Sequence, residues 1–185
     1  INYAKDQKIE KGRQVRIDCT VVESNIHEPS DSSLLWDAVR VLSRLLHKVQ
    51  DNYALRLLHF QDHQRRAKKR MVAIQYAKTN KQRKLAYKDL LKVTRKSIRY
   101  AHSGIDQISA SGITSPAMML LSCNLSQYAR LAQQVIDQTK RRVLHGESVP
   151  TSEKIVSLFE PHTDIIVKDR RNTFYGHKVC LTGGA

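Results

Sequence analysis

The alternation of apolar and polar positions near the start of the chain predicts a β-strand. Residues 14–23, QVRIDCTVVE, are rich in Val, Ile and Thr, the β-branched types that suit a pleated and partly buried surface. Because side chains alternate across a strand, Ile17 and Cys19 are predicted on one face, and Asp18 and Thr20 on the other. Asp18 is the carboxylate inside this run, with Glu23 at its end, and it needs a chemical explanation.

A helix is predicted directly after this strand. The intervening segment, residues 24–33, contains Pro29 and offers Ser30 or Asp31 as an N-cap. From Leu34 onward, apolar residues recur at steps of three and four, which places them on one helical face. These residues are Leu35, Val39, Leu42, Leu46 and Val49, and Trp36 is predicted to pack with them in the core.

The rest of the chain divides into a helical block and a strand-rich tail. Residues 53–103 lack Pro and Gly, and their broken apolar periodicity predicts two long helices joined near residues 78–82. Residues 112–147 combine a cap at Thr114 or Ser115, a proline in the first turn and a terminal glycine, which are the signals of a further helix. The tail contains short apolar runs, KIVSLF, DIIV and YGHKVCL, separated by turn residues, and these predict strands.

This order predicts an α/β chain in which one sheet is assembled around a helical insertion. The predicted parts are residues 1–30 with the first strand, residues 31–148 as the insertion, and residues 149–185 with further strands. A length of 185 residues suits one domain with a real core, or a small domain carrying a large insertion.

The formal net charge of +15 is concentrated in the helical block, and this concentration points to a binding partner. Between Arg56 and Arg99 there are 15 Lys or Arg residues and only two acids, Asp62 and Asp89, so this span supplies 13 of the net charge. A basic block of this kind favours a polyanionic partner, either nucleic acid or an anionic membrane. A solvated helical surface without a partner is the alternative.

The basic residues are predicted to neutralise DNA phosphates over several helix faces, and Lys92, Arg95, Lys96 and Arg99 belong to the same excess. Five residues around the last strand are predicted to lie near Asp18 and to bind the scissile phosphate, namely Lys168, Arg170, Arg171, His177 and Lys178. The candidate DNA-binding residues are Arg65, Arg66, Lys68, Lys69, Arg70, Lys81, Arg83, Lys84, Lys88, Lys168, Arg170, Arg171 and Lys178.

The sequence gives little indication of a membrane-spanning segment, a disulfide framework or a zinc site. No apolar run approaches the roughly 18 residues that span a bilayer, and the first residues have no apolar signal core, so an intracellular protein is predicted. The three cysteines include no CxxC pair and are predicted to be small buried or half-buried residues. His59 and His63 lie four apart on a predicted helix, where exposed, DNA-facing side chains are favoured over a zinc site.

A buried carboxylate on a central strand costs several kcal/mol unless it is paired or holds a metal. Asp18 is therefore a candidate ligand for Mg²⁺ or Mn²⁺ in a basic groove. Two alternatives would account for this carboxylate without a metal. Asp18 could lie on an edge strand facing solvent, or it could form an ion pair with an arginine. Asp31 and Asp37 could assist a metal site or serve the helix start, and Asn25 and His27 could contact DNA or cap the loop.

Two long segments resemble the catalytic region of DDE transposases from bacterial insertion sequences, specifically the ISNCY-like group. They are VRIDCTVVESNIHEPSDSSLLWDAVRVLSRLL and KIVSLFEPHTDIIVKDRRNTFYGHKVCLTGG, and the resemblance extends over residues 8–49 and 152–184. It implies an RNase H-like fold whose first strand carries the first acidic ligand, which falls on Asp18. The family's second aspartate and its glutamate would follow residue 185, so the chain is expected to be an N-terminal part of the catalytic domain and inactive alone.

The resemblance also implies a function. It implies Mg²⁺- or Mn²⁺-dependent cleavage and strand transfer at transposon ends, by a protein acting on target DNA as a homo-oligomer in the bacterial cytoplasm, at the nucleoid. A non-catalytic DNA-binding helical module is the alternative. A helical protein-interaction or membrane-surface domain is a third possibility.

Overall fold

The computed structural model of this chain describes residues 3, 6–7, 15–53, 57, 59–112, 114–168 and 172–184. These residues form four α-helices and a three-stranded antiparallel sheet, which confirms the predicted mixed α/β class. In chain order the elements are β1 (Val15–Glu23), α1 (Asp31–Tyr53), α2 (Gln64–Gln75), α3 (Asn80–Ala110), α4 (Pro116–Thr139), β2 (Asp164–Lys168) and β3 (Asn172–Gly184).

The chain folds as two compact units. The sheet unit consists of Ile1–His27 and His162–Ala185, and the helical unit is Glu28–Pro161. A π-helical turn, Lys140–Leu144, follows α4, and a short 3₁₀ turn, Thr151–Glu153, comes after it. The helical unit therefore ends at Pro161, later than the boundary at residue 148 that the sequence suggested.

The helices of the helical unit begin where polar caps satisfy their first amides. The Ser30 hydroxyl accepts a hydrogen bond from the Ser33 amide, and the Ser33 hydroxyl accepts one from the Ser30 amide, each at 3.1 Å. The Ser115 hydroxyl accepts from the Met118 amide at 3.2 Å at the start of α4. The predicted caps are thus confirmed. The amides in the first turn of a helix have no acceptor within the helix, and a serine hydroxyl supplies one.

Helix α1 packs against each of the other three helices, and α3 also packs against α2 and α4. The apolar stripe predicted for α1 is confirmed, and its largest members are completely buried. At Gly104 of α3, an added Cβ would lie 2.7 Å from Leu46 Cδ2, so glycine permits the close approach of α1 and α3. Helices α2 and α3 are joined by residues 76–79, next to the predicted junction.

The run KIVSLF, predicted as a strand, is not one. Ile155, Val156 and Leu158 are buried in the helical unit, with no regular secondary structure. The Gln138 side chain bonds both backbone groups of Ile155, accepting from its N–H at 2.9 Å and donating to its carbonyl at 3.1 Å. This side-chain amide supplies the partners that a neighbouring strand would otherwise provide, so an apolar run can be buried without joining a sheet.

The sheet unit has the strand order β1–β3–β2, with both pairings antiparallel. Within the described strands β3 is central and β1 is an edge, so Asp18 occupies the edge-strand position that the sequence left open as an alternative. The register runs without interruption from Val15 opposite Gly184 to Glu23 opposite Gly176. At Gly176 an added Cβ would lie 2.1 Å from the Val22 carbonyl oxygen, so only glycine fits there.

Candidate nucleic-acid interface and candidate metal ligand

Helix α3 carries a row of basic side chains on its solvent side. Their spacing of three and four residues, at about 100° per residue, confines them to an arc of about 80°. Leu90, Thr94 and Ala101 are buried on the opposite side of the helix. At about 1.5 Å per residue the row is about 27 Å long. This α3 stripe consists of Lys81, Lys84, Lys88, Lys92, Arg95 and Arg99, all exposed.

Four residues of the α3 stripe line a groove between α3 and α4. Lys88, Lys92, Arg95 and Arg99 share this groove, of about 690 Å³, with Leu91, with Gln133 of α4 and with Leu144 of the π-helical turn. In the described part of the chain, none of these four cations forms an ion pair. Their charges are therefore available to an anion from outside.

The basic residues of α2 divide into two groups. Arg66 pairs with Asp89 of α3 at 2.6 Å, and Arg70 contacts the other oxygen of the same carboxylate. Partial burial acts to raise the pKa of Asp89, but hydrogen bonds and charges from both arginines outweigh it and hold that pKa below its usual range. These two arginines therefore attach α2 to α3. Arg65 and Lys69 are exposed, and the Lys68 ammonium lies 6.0 Å from the centre of the Trp36 ring.

On α3 the basic side chains are concentrated on one side of the helix. The cations of the whole helical block were expected on several faces, and on α3 itself Arg83 and Lys96 fall outside the 80° arc of the stripe. Sequence reasoning selected Lys81, Lys84 and Lys88, and it left out Lys92, Arg95 and Arg99 as specific site residues. The step pattern of three and four residues, already visible in the sequence, is the signal that could have found them.

The sheet unit places Asp18 on an exposed face. Asp18 lies opposite Leu181, and pairing parity puts its side chain on the same face as Thr20, Val22 and His177. The Asp18 side chain is exposed, which agrees with the alternative of an edge-strand position facing solvent, and no desolvation cost calls for a metal. The described residues contain no cluster of three or more His, Cys, Asp or Glu side chains able to hold a metal ion. Among the described residues, Asp18 therefore belongs to no such cluster.

The basic residues around the last strand are not grouped with Asp18. Lys178 lies opposite Val21 and Lys168 opposite Asn172, and this register puts both lysines on the other face of the sheet. Of the group predicted near Asp18, His177 shares its face. Arg170 and Arg171 lie outside the described residues.

The carboxylates at the start of α1 have structural partners. Arg142 approaches Asp31 to 3.0 Å, and Asp31 is buried. The Gln138 amide lies 3.5 Å from the same carboxylate. Asp37, also buried, pairs with Arg40 at 2.6 Å. Sequence reasoning missed Arg142, which is more than 100 residues from its partner in the chain.

The two candidate histidines do not share a helix, and the prediction that they do is wrong. His59 precedes α2, and His63 occupies its N-cap position. Burial, aided by the charges of Lys96 and Arg66, lowers the pKa of His63. Its ring lies 5.9 Å from the Tyr100 ring, so His63 belongs to an aromatic contact.

Comparison of the chain with protein-family models, with curated proteins and with solved structures gave no match. Among the described helices, none has both the length and the apolar character needed to cross a bilayer.

Proposed function

We propose that the helical unit binds duplex DNA through phosphate contacts made by the α3 stripe. The groove lined by Lys88, Lys92, Arg95 and Arg99 is the observation that carries this proposal, because it gathers four cations without acidic partners among the described residues. Arg65 and Lys69 of α2 extend the positive surface. Lys and Arg side chains that neutralise phosphates release counterions, and this release supplies most of the affinity of non-specific binding.

The dimensions and composition of the stripe support contact with the phosphate backbone. Its length of about 27 Å is somewhat less than one turn of B-DNA, which is about 34 Å. Four of its six members are lysines, which act as point charges toward phosphate, whereas reading of guanine is made mainly by bidentate arginine. The expected mode is therefore binding with little dependence on base sequence.

An anionic membrane is the competing polyanion, and α3 lacks a feature that membrane binding requires. A helix lying in a membrane interface places an apolar face in the acyl boundary. The apolar face of α3 is buried against α1 and α4, including Leu90 and Leu91. The exposed Leu85 is a single apolar side chain on α3, and it does not form the apolar face that such binding requires.

The test is a fluorescence-anisotropy titration of a labelled 20-base-pair duplex at several salt concentrations, compared with binding to vesicles of phosphatidylserine and phosphatidylcholine. We expect duplex binding whose affinity falls steeply with salt, and weaker vesicle binding. Equal affinity for duplexes of unrelated sequence is also expected. Absence of duplex binding at 50 mM salt would contradict the proposal.

A second proposal follows the resemblance to DDE transposases. In it the natural protein cleaves and transfers DNA strands with Mg²⁺ or Mn²⁺, its sheet is RNase H-like, and Asp18 is the first acidic ligand. The support for this reading is the resemblance of residues 8–49 and 152–184, and the exposed Asp18 side chain is accessible to a metal ion and to a DNA phosphate. DNA is the proposed partner in both readings, and assembly of several copies on DNA belongs to the second.

The second proposal has its own test. Nicking of supercoiled plasmid in Mn²⁺ would be measured for the natural protein at full length, with Asp18→Asn as the variant and Asp164→Asn as a control carboxylate on β2. Loss of nicking in Asp18→Asn alone, with unchanged DNA affinity, is the expected result. Equal nicking by all three proteins would remove Asp18 from catalysis and leave DNA binding standing.

A further inference from the structure

Two cysteines that are 161 positions apart in the chain face one another across the sheet. Cys19 of β1 and Cys180 of β3 are register partners in the antiparallel pairing. Register partners project their side chains from the same face of a sheet. Both side chains are exposed, so the prediction of buried or half-buried cysteines is wrong, and solutes can reach both sulfur atoms.

The pairing pattern shows how close the two backbones are at this point. The Ser24 amide donates to the Tyr175 carbonyl at 2.9 Å, which makes these opposite residues a hydrogen-bonded pair. Hydrogen-bonded and non-hydrogen-bonded pairs alternate along an antiparallel ladder, and Cys19 is five positions before Ser24 in an unbroken register. Cys19 and Cys180 therefore form a non-hydrogen-bonded pair, in which the side chains are closest and the Cα atoms are about 4.5 Å apart.

That separation lies within the range that a disulfide accepts. Disulfide-linked residues have Cα atoms about 4.4–6.8 Å apart. A hydrogen bond between the thiols raises the pKa of Cys19, with weaker contributions from desolvation and nearby charges. The register therefore brings the two cysteines to a spacing at which formation of the bond requires little backbone movement.

We propose that Cys19 and Cys180 are a site of reversible oxidation, at which a peroxide or a small disulfide such as oxidised glutathione converts the two thiols into a cross-strand disulfide. With a peroxide, one thiolate attacks the O–O bond and becomes a sulfenic acid, while the peroxide leaves as an alcohol or water. The second thiol then displaces water from that sulfenic acid and forms the S–S bond. With oxidised glutathione, two thiol–disulfide exchanges release two molecules of glutathione.

The disulfide would join the edge strand β1 covalently to β3. It would close a loop that contains the whole helical unit, because the two cysteines lie on either side of that unit in the chain. Asp18 projects from the opposite face of β1, so the bond would leave that carboxylate exposed. An exposed disulfide is readily reduced, which makes the modification reversible. This inference depends on the β1–β3 register and is independent of DNA binding.

The test oxidises the folded chain with glutathione disulfide, blocks free thiols with iodoacetamide and identifies linked peptides by mass spectrometry. After trypsin, we expect one linked species made of residues 17–40 and 179–185, with Cys123 alkylated. Treatment with dithiothreitol should release both peptides. The same oxidation in 6 M guanidinium should be slower by about tenfold or more, because unfolding separates the thiols by a long chain.

Cys123→Ser is the matched control and should still form the link, whereas Cys19→Ser and Cys180→Ser should not. The variants also address folding, since each can be compared with wild type by circular dichroism before oxidation. Alkylation of both Cys19 and Cys180 after oxidation of the folded chain would overturn the proposal. A product dominated by links to Cys123, or by links between chains, would overturn it as well.

Discussion

Removing two charges from the α3 stripe should weaken DNA binding by an amount that salt controls. The variant is Lys92→Gln with Arg95→Gln, which loses one lysine and one arginine from the centre of the groove. Glutamine has nearly the helix propensity of both residues, and neither forms an ion pair in the described part of the chain. The free energy of unfolding should therefore change by less than about 0.5 kcal/mol.

The expected magnitude follows from counterion release. Each phosphate contact contributes about 0.9 to the slope of log affinity against log salt, so two lost contacts should reduce the slope by about 1.8. The same relation gives an affinity loss of about 30-fold at 0.15 M salt, which shrinks to about 3-fold to 4-fold at 0.5 M. A structural defect would produce a loss with no such dependence on salt.

The matched control is Arg44→Gln with Lys48→Gln on α1, because it removes the same two residue types from exposed positions of the same unit. Both variants have the same net charge, so a general electrostatic effect would be equal in them. Anisotropy titrations of one duplex at 0.1–0.5 M salt measure both slopes. If the two variants lose the same affinity and slope, the stripe is not the binding surface and the reasoning fails.

Three further predictions concern contacts within each unit. Asp89→Asn should cost about 1 kcal/mol of stability in chemical denaturation, since half-exposed ion pairs are weak. In anisotropy titrations the same variant should raise DNA affinity about 5-fold at 0.15 M salt, because it frees Arg66 or Arg70 to contact phosphate. An unchanged affinity would mean that neither arginine reaches DNA. The folded-state pKa of Asp89 is below its ordinary value of 3.8, so its stabilisation is complete above that value and is lost as pH falls through the folded pKa. The protection of α2 amides against hydrogen exchange, taken relative to the intrinsic exchange rate at each pH, should therefore fall below about pH 4, and much less in Asp89→Asn. Gly176→Ala should destabilise the sheet unit by about 2–3 kcal/mol, because the alanine Cβ would overlap the Val22 carbonyl. The β1 amides should then exchange hydrogen faster than in the wild type. Equal exchange in the two proteins would show that β1 does not pair with β3 at this position.

Local features of the chain could be predicted because their causes are local. The alternation in residues 14–23 fixes which side chains of β1 share a face, and the Ser30 and Ser115 hydroxyls cap helices through neighbours three residues away. The apolar steps of α1 identified its buried face for the same reason. Each of these depends on backbone periodicity or on contacts within one helical turn.

The features that could not be predicted depend on distant partners. The alternation in β1 does not say whether the strand is central or at an edge, and so the sequence left open whether Asp18 is buried or faces solvent. The face of Lys178 relative to Asp18 depends on the pairing parity of β1 and β3, which a shift of one residue would reverse. Asp31 pairs with Arg142 of the π-helical turn, 111 positions further along the chain, and Ile155 bonds to Gln138 at the end of α4, 17 positions before it.

Lysine footprinting tests most directly whether the α3 stripe contacts DNA phosphates. The chain would be treated with a trace of acetic anhydride, with and without a saturating 20-base-pair duplex, and the acetylation of each lysine measured by mass spectrometry. We expect bound DNA to protect four lysines of the stripe from acetylation, Lys81, Lys84, Lys88 and Lys92, and to leave Lys48 on α1 unprotected. Equal acetylation of the stripe lysines with and without bound DNA, or protection of Lys48 to the same degree, would contradict it.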